Sequence, residues 1–268
     1  MIRIEGLTYT GKGGRVILED IHCAFAAGKL TAVLGANGAG KSTLFKCING
    51  EVRFRQGTIS WDDRDMKTLP APELSKKKAV LRQHYQVSLP FTAREIVEMG
   101  RYGYFKTYPT ERCKEVITLI TELVGITHLM DRSYLTLSGG EQQRVQLARV
   151  MAQVWDSPTK ERLLLLDEPV SALDIQYQHQ LMQMMQQLTR EYGFTVIAIV
   201  HDLNLTLQYA DDILMLDKGS VVDQGPAVSV LTEQNIQRVF GISVLIEKNS
   251  LDQLYIQVTP RKLETISL

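Results

Sequence analysis

Gly35-Ala36-Asn37-Gly38-Ala39-Gly40-Lys41-Ser42 fits the pattern G-x-x-x-x-G-K-[ST] at every fixed position. Ahead of it, residues 30–34 (Leu-Thr-Ala-Val-Leu) are mostly apolar with β-branched members, as in a buried strand. Behind it, residues 41–49 read as the start of a helix. Glycines at these spacings let the backbone curl so that successive N–H groups face an anion, at the positive end of the helix dipole. Gly35, Asn37, Gly38, Ala39 and Gly40, with Thr43 just inside the helix, are the expected contacts for a nucleotide's phosphates. Lys41 would reach the β- and γ-phosphates, and Ser42 would offer its hydroxyl to Mg²⁺. The stretch predicts a nucleoside triphosphate site between a strand and a helix.

Outward from this loop, strand-like runs at residues 79–81, 163–166, 195–200 and 213–216 alternate with helical patterns. Such alternation predicts an α/β domain around a largely parallel sheet. Between residues 84 and 154 no convincing buried strand occurs, and residues 111–124 and 140–153 read as long helices. The predicted organisation is an α/β domain over 1–242, with core residues 1–83 and 158–242 and an inserted helical subdomain over 84–157. Residues 243–268 form an extension in which runs at 244–247 and 254–258 flank Asn249-Ser250-Leu251-Asp252, a hairpin pattern. The phosphate loop occurs once, so one chain carries one nucleotide cassette.

The chain has 268 residues, 44% of them hydrophobic, enough for a sizeable core. No stretch approaches the roughly 18 uninterrupted apolar residues that a membrane span needs. Met1-Ile2-Arg3-Ile4-Glu5 lacks the layout of a secretory signal, which predicts a cytosolic chain. Cys23, Cys47 and Cys113 are odd in number and widely spaced, fitting reduced thiols better than a disulfide framework or a zinc site. Thirty basic and thirty acidic residues give a net charge of +0, removing the simplest electrostatic argument for nucleic-acid binding. Lys76-Lys77-Lys78 is the one basic run and is expected to be a solvated face.

Two further stretches carry chemistry. Residues 163–166, all leucine, lead into Asp167-Glu168-Pro169, so two carboxylates emerge where a buried strand ends. Ligands of open parallel sheets bind at the carboxyl ends of strands. Asp167 is placed to hold Mg²⁺ through water, and Glu168 to polarise the water attacking the γ-phosphate. In Leu137-Ser138-Gly139-Gly140-Glu141-Gln142-Gln143-Arg144, Ser138 and two glycines open a helix, a second helix N-terminus suited to an anion.

With the phosphate loop, this last stretch resembles the ATP-binding cassette family of transport ATPases, and the likeness extends over almost the whole chain. It implies a P-loop NTPase fold of the cassette type with an inserted helical subdomain, binding ATP and Mg²⁺. It further implies a head-to-tail homodimer, each ATP lying between the phosphate loop of one copy and Ser138, Gly139 and Gly140 of the other. By the same resemblance Gln83 senses Mg²⁺ and the attacking water, and His201 contacts the γ-phosphate. Tyr9 stacks on adenine, and Ser171-Ala172-Leu173-Asp174 crosses the dimer interface beside the nucleotide. Val170 departs from the threonine usual at its position, with little expected consequence.

Single-cassette chains of this length resemble importer ATPases, which pair with a two-copy membrane permease at the cytoplasmic face of the inner membrane and, indirectly, with a periplasmic substrate-binding protein. Residues 88–101 resemble the branch serving iron chelates, cobalamin and haem, and follow Gln83, where the permease docks; Arg94 and Arg101 are the candidate docking cations there. Residues 150–155, the polar insert 156–162 and residues 239–241 look most like haem importers, with ferric siderophore or cobalamin import as the alternative. His84 and Tyr85, beside the docking loop, read as permease contacts rather than haem ligands. A soluble DNA-repair ATPase shares the phosphate loop and the Ser-Gly-Gly signature but normally splits its cassette around a long coiled coil, and no sustained heptads occur here. A non-enzymatic nucleotide-binding module would tolerate loss of Glu168 or His201; both are present.

Overall fold

The computed structural model describes residues 1–82, 89–157, 161–171 and 173–259. At its centre is a six-stranded sheet in the spatial order Ser220–Pro226, Asp212–Asp217, Leu30–Gly35, Thr195–Ile199, Leu163–Asp167, Lys78–Leu81. Every neighbouring pair is parallel except the edge strand Ser220–Pro226, which returns antiparallel to Asp212–Asp217. The five predicted strands are the five parallel ones. They are legible because a sheet covered on both faces needs near-continuous apolar runs.

Alternation along these strands divides the interior into two cores. Leu164, Leu166, Val196, Ala198, Ile213 and Met215 point into the larger core, which they share with helices Gly139–Val154 and Ile175–Tyr192. Leu163, Leu165, Ile197, Ile199, Leu214 and Leu216 point the other way, towards Leu44, Phe45 and Ile48 of helix Lys41–Asn49. The phosphate-loop helix is thereby clamped to the sheet by its apolar stripe, leaving its N-terminus at the strand ends.

A second, antiparallel sheet of four strands, in the order Val16–Phe25, Ile2–Thr10, Gln56–Trp61, Arg64–Asp65, closes the smaller core. The sequence pattern points here to no more than a first strand near Tyr9. Ile2 and Ile4 are buried and Arg3 and Glu5 exposed, a period of two. Gly6 then takes a φ of +60° and the pairing register shifts between Ile4 and Leu7, so the alternation breaks after two steps and the strand is hidden from a periodicity search.

Between strands Lys78–Leu81 and Leu163–Asp167 the described chain is helical, with Ala93–Met99, Glu111–Leu123 and Gly139–Val154. Thr92 and Ser138 each cap a helix in a reciprocal capping box, with Glu95 and Glu141 respectively. Strands Val244–Lys248 and Leu254–Val258 pair as an antiparallel hairpin, as the pattern predicts. The side-chain amide of Asn204 docks this hairpin, donating to Ile256 O at 3.0 Å and accepting from Ile256 N at 2.7 Å.

Two surface expectations are corrected. Lys77 and Lys78 are 5% and 6% exposed, so the basic run is no solvated face. Lys77 bridges Glu73 and Glu161 at 2.9 and 2.7 Å, and Lys78 donates to Ile48 O and Asn49 O at the end of helix Lys41–Asn49. Their positions at a helix-to-strand junction bury the stems while backbone carbonyls and carboxylates take the ammonium groups. Arg101 is likewise no docking cation. It is 1% exposed, donates to Ala152 O at 2.8 Å and Asp156 Oδ2 at 2.7 Å, and lies over the Tyr104 ring.

Candidate functional site

The loop after strand Leu30–Gly35 has the shape its glycines permit. Gly40 has a φ of +102°, and a Cβ there would lie 2.7 Å from Leu18 Cδ2 and 3.2 Å from Ile17 O. At Gly35 a Cβ would meet Leu216 O at 2.4 Å, so the chain passes against the neighbouring strand only without a side chain. Gly40 caps helix Lys41–Asn49 with no side-chain hydrogen bond, so no side chain occupies the first N–H groups of that helix. Lys41 is 7% exposed and curls back over the loop, its Nζ donating to Gly35 O at 2.6 Å and Ala36 O at 3.0 Å. Burial draws its ammonium below the usual lysine range, against the opposing pull of Glu168 and Asp167.

A cleft of about 850 Å³ opens over this loop, lined by Ala36, Asn37, Gly38, Ala39, Gly40, Lys41, Ser42, Thr43 and Glu168. Glu168 follows strand Leu163–Asp167 with a φ of +52°, in the left-handed region uncommon for a non-glycine residue. Its Oε1 lies 2.8 Å from His201 Nε2, which donates to it in the tautomer protonated there. His201 stands just beyond strand Thr195–Ile199, and the next residue, Asp202, caps helix Leu203–Tyr209. Parallel neighbours thus bring the acid and the histidine together at one end of the sheet.

Asp167 Oδ1 is buried with no hydrogen-bond partner. Burial, and then the charge of Glu168, hold its carboxyl above the usual carboxylate range. Ser42 and Asp167 line one recess beside the cleft. An unpaired carboxylate beside a hydroxyl suits Mg²⁺, a hard cation that takes its other ligands from phosphate oxygens and water. Among the described residues no group of three or more His, Cys, Asp or Glu is placed to hold a metal ion. When bound, such an ion neutralises charge on the phosphates. Gln83 lies outside the described residues, as do His84 and Tyr85.

The other predicted residues stand apart from this cleft. Ser138 caps helix Gly139–Val154, its Oγ accepting from Glu141 N at 3.3 Å, and a Cβ on Gly139 would meet nothing within 4 Å. Neither they nor Gly140 line the cleft of their own chain. Gln143 on that helix donates to Pro169 O, tying the signature segment to the turn after Glu168. Asp174 caps helix Ile175–Tyr192 through Tyr177 N at 3.0 Å, and the following Ile175 is 74% exposed. Tyr9 is half-buried against the smaller core and does not line the cleft. The walls that the sequence pattern does not reveal are Arg15, Val16, Ile17, Asp217, Lys218 and residues 238–241. A local signal exists for one of them. The turn at Lys218-Gly219 has positive φ at both residues, and Gly219 N donates to Ala39 O at 3.1 Å, pinning the loop from the side.

The profile of the ABC transporter family matches residues 18–171, more than half of the chain. The chain belongs to that family. The hemin import ATP-binding protein HmuV of Escherichia coli O157:H7 is 36% identical over 93% of this chain and 95% of its own length. The HmuV proteins of Bordetella pertussis and Plesiomonas shigelloides are 40% and 41% identical, covering 86% and 88% of this chain and 88% and 93% of their own. A metal-chelate type ABC transporter in an inward-facing conformation superposes with a TM-score of 0.81 at 25% identity over 97% of each chain. An ATP-binding cassette solved as a dimer after hydrolysis, with ADP and Pi bound, superposes at 0.73 with 26% identity over 85% of this chain and 99% of its own. This ABC protein is thus an ATPase cassette that works with a membrane permease. None of its described helices is long and apolar enough to cross a membrane.

Proposed function

We propose that this cassette powers uptake of haem through a two-copy permease at the cytoplasmic face of the inner membrane, fed by a periplasmic substrate-binding protein. The observation carrying this reading is the near full-length likeness, at 36 to 41% identity, to relatives named for hemin import. Two copies of the chain face each other head to tail. The phosphate loop and Glu168 of one copy hold ATP, and Ser138, Gly139, Gly140 and Asp174 of the other close over it. That Ser138, Gly139 and Gly140 do not line the cleft of their own chain supports this arrangement.

Within the site, the loop N–H groups and Lys41 bind the phosphates. Ser42 and Asp167 hold Mg²⁺. Glu168 takes a proton from the attacking water, and His201 orients that carboxylate and meets the γ-phosphate on closure. The permease docks on the segment after Gln83, where Leu89 and Tyr102 are 59% and 60% exposed and Arg94 pairs with Asp131 at the surface. Uptake into vesicles containing the copurified permease tests the substrate. ATP-dependent haem accumulation exceeding that of a ferric siderophore and of cobalamin is the expected result; preference for either alternative overturns the haem assignment.

A further inference from the structure

The nucleotide cleft has one wall with no part in the scheme above. Helix Glu233–Phe240 ends against it, so that Arg238, Val239, Phe240 and Gly241 share the lining with the phosphate loop. Ile236 and Val239 are buried in the larger core and fix the helix in place. Gly241, with a φ of +68°, ends the helix there. Phe240 packs partly on that core and also lines the cleft.

A triphosphate seated on the loop leaves its nucleoside to the rest of the cleft, and a purine in a wet cleft gains most from an aromatic face. Among the described residues Phe240 is the one aromatic residue lining this cleft, whereas Tyr9 is half-buried against the smaller core and does not line it. Val16, 49% exposed in the same lining, offers apolar surface to a base. Arg15, Lys218 and Arg238 line the cleft with Lys41, outnumber Glu168 and Asp217 in the same lining, and make it attractive to a polyanion.

We propose that the C-terminal end of helix Glu233–Phe240 is the nucleoside-binding wall of the ATP site in the same subunit, with Phe240 stacking on the base. The inference rests on the phosphate-loop assignment and is independent of what the transporter carries.

The test is equilibrium titration of the full chain with ATP, ADP and inorganic tripolyphosphate, which keeps the charge and lacks the nucleoside. Phe240→Ala is expected to weaken ATP and ADP by about 5- to 100-fold, the weight of one aromatic–base stack. It should leave tripolyphosphate within twofold of the unaltered chain, and Tyr9→Ala should leave all three ligands within twofold. Phe240→Trp keeps a ring at the site and should bind ADP tightly, with a change in its fluorescence that tripolyphosphate does not produce. ATP affinity within twofold in Phe240→Ala, an equal loss for tripolyphosphate, or a loss carried by Tyr9→Ala instead overturns the proposal. Tripolyphosphate binding abolished by Lys41→Ala is the control on the loop itself, separating failure of this wall from failure of the phosphate site.

Discussion

Replacing Glu168 with glutamine isolates the carboxylate's charge from its shape. Glutamine is isosteric, can still bond His201 across the 2.8 Å contact, and inherits the same backbone φ of +52°. Backbone strain therefore cancels between the two proteins, and the change falls on proton transfer. A positioned general base contributes about 10²- to 10⁴-fold, which is about 2.7–5.4 kcal/mol of activation free energy. ATP affinity should stay within a few-fold, because the ground-state phosphates meet the loop and Lys41. The contact with His201 adds a further requirement. If the two residues act as one unit, Glu168→Gln with His201→Ala should lower turnover little beyond the worse single variant. The assay is phosphate release at saturating ATP, with ATP titration of each variant alongside. Turnover within threefold of the unaltered cassette, or single losses that multiply in the double variant, would refute the reasoning.

Four further outcomes follow from the geometry. Mixing Lys41→Ala subunits with Ser138→Arg subunits assembles one intact composite site per heterodimer, and ATPase activity should rise above either variant alone; no recovery after proven mixing would deny the trans role of Ser138. Because burial raises the Asp167 carboxyl, the native state keeps that proton to a higher pH than the unfolded chain. Unfolding free energy should then fall as pH rises through that window, and nucleotide-free Asp167→Asn should lack this fall, read by urea unfolding across acid to neutral pH, while losing the Mg²⁺ dependence of ATP binding. Arg94→Glu should leave basal hydrolysis intact and reduce coupled uptake, since that side chain is 49% exposed. Arg101→Glu breaks a buried pair with Asp156 and should lower stability by about 3–5 kcal/mol in thermal or urea unfolding.

What could be read in the chain itself is what contiguous residues dictate. The spacing of Gly35, Gly40, Lys41 and Ser42 is set by local backbone geometry, so the loop and its strand and helix were legible without neighbours. The apolar runs of the parallel strands were legible because both faces of that sheet are covered, and the hairpin near the C-terminus because its turn residues and strands are adjacent in sequence. The antiparallel sheet at the start of the chain was obscured by a bulge at Gly6. Its periodicity is a sum over several residues, and one irregular step erases it. The fates of Lys77, Lys78 and Arg101 depended on partners such as Glu161, Ile48 and Asp156, which no short window contains. The same holds for the cleft. The phosphate loop announces itself, but that Phe240 and Arg238 share its lining while Tyr9 does not follows from how a late helix packs on the core. Backbone chemistry is local and is written in neighbouring residues, whereas burial and juxtaposition belong to the packed chain and exist only once it has folded.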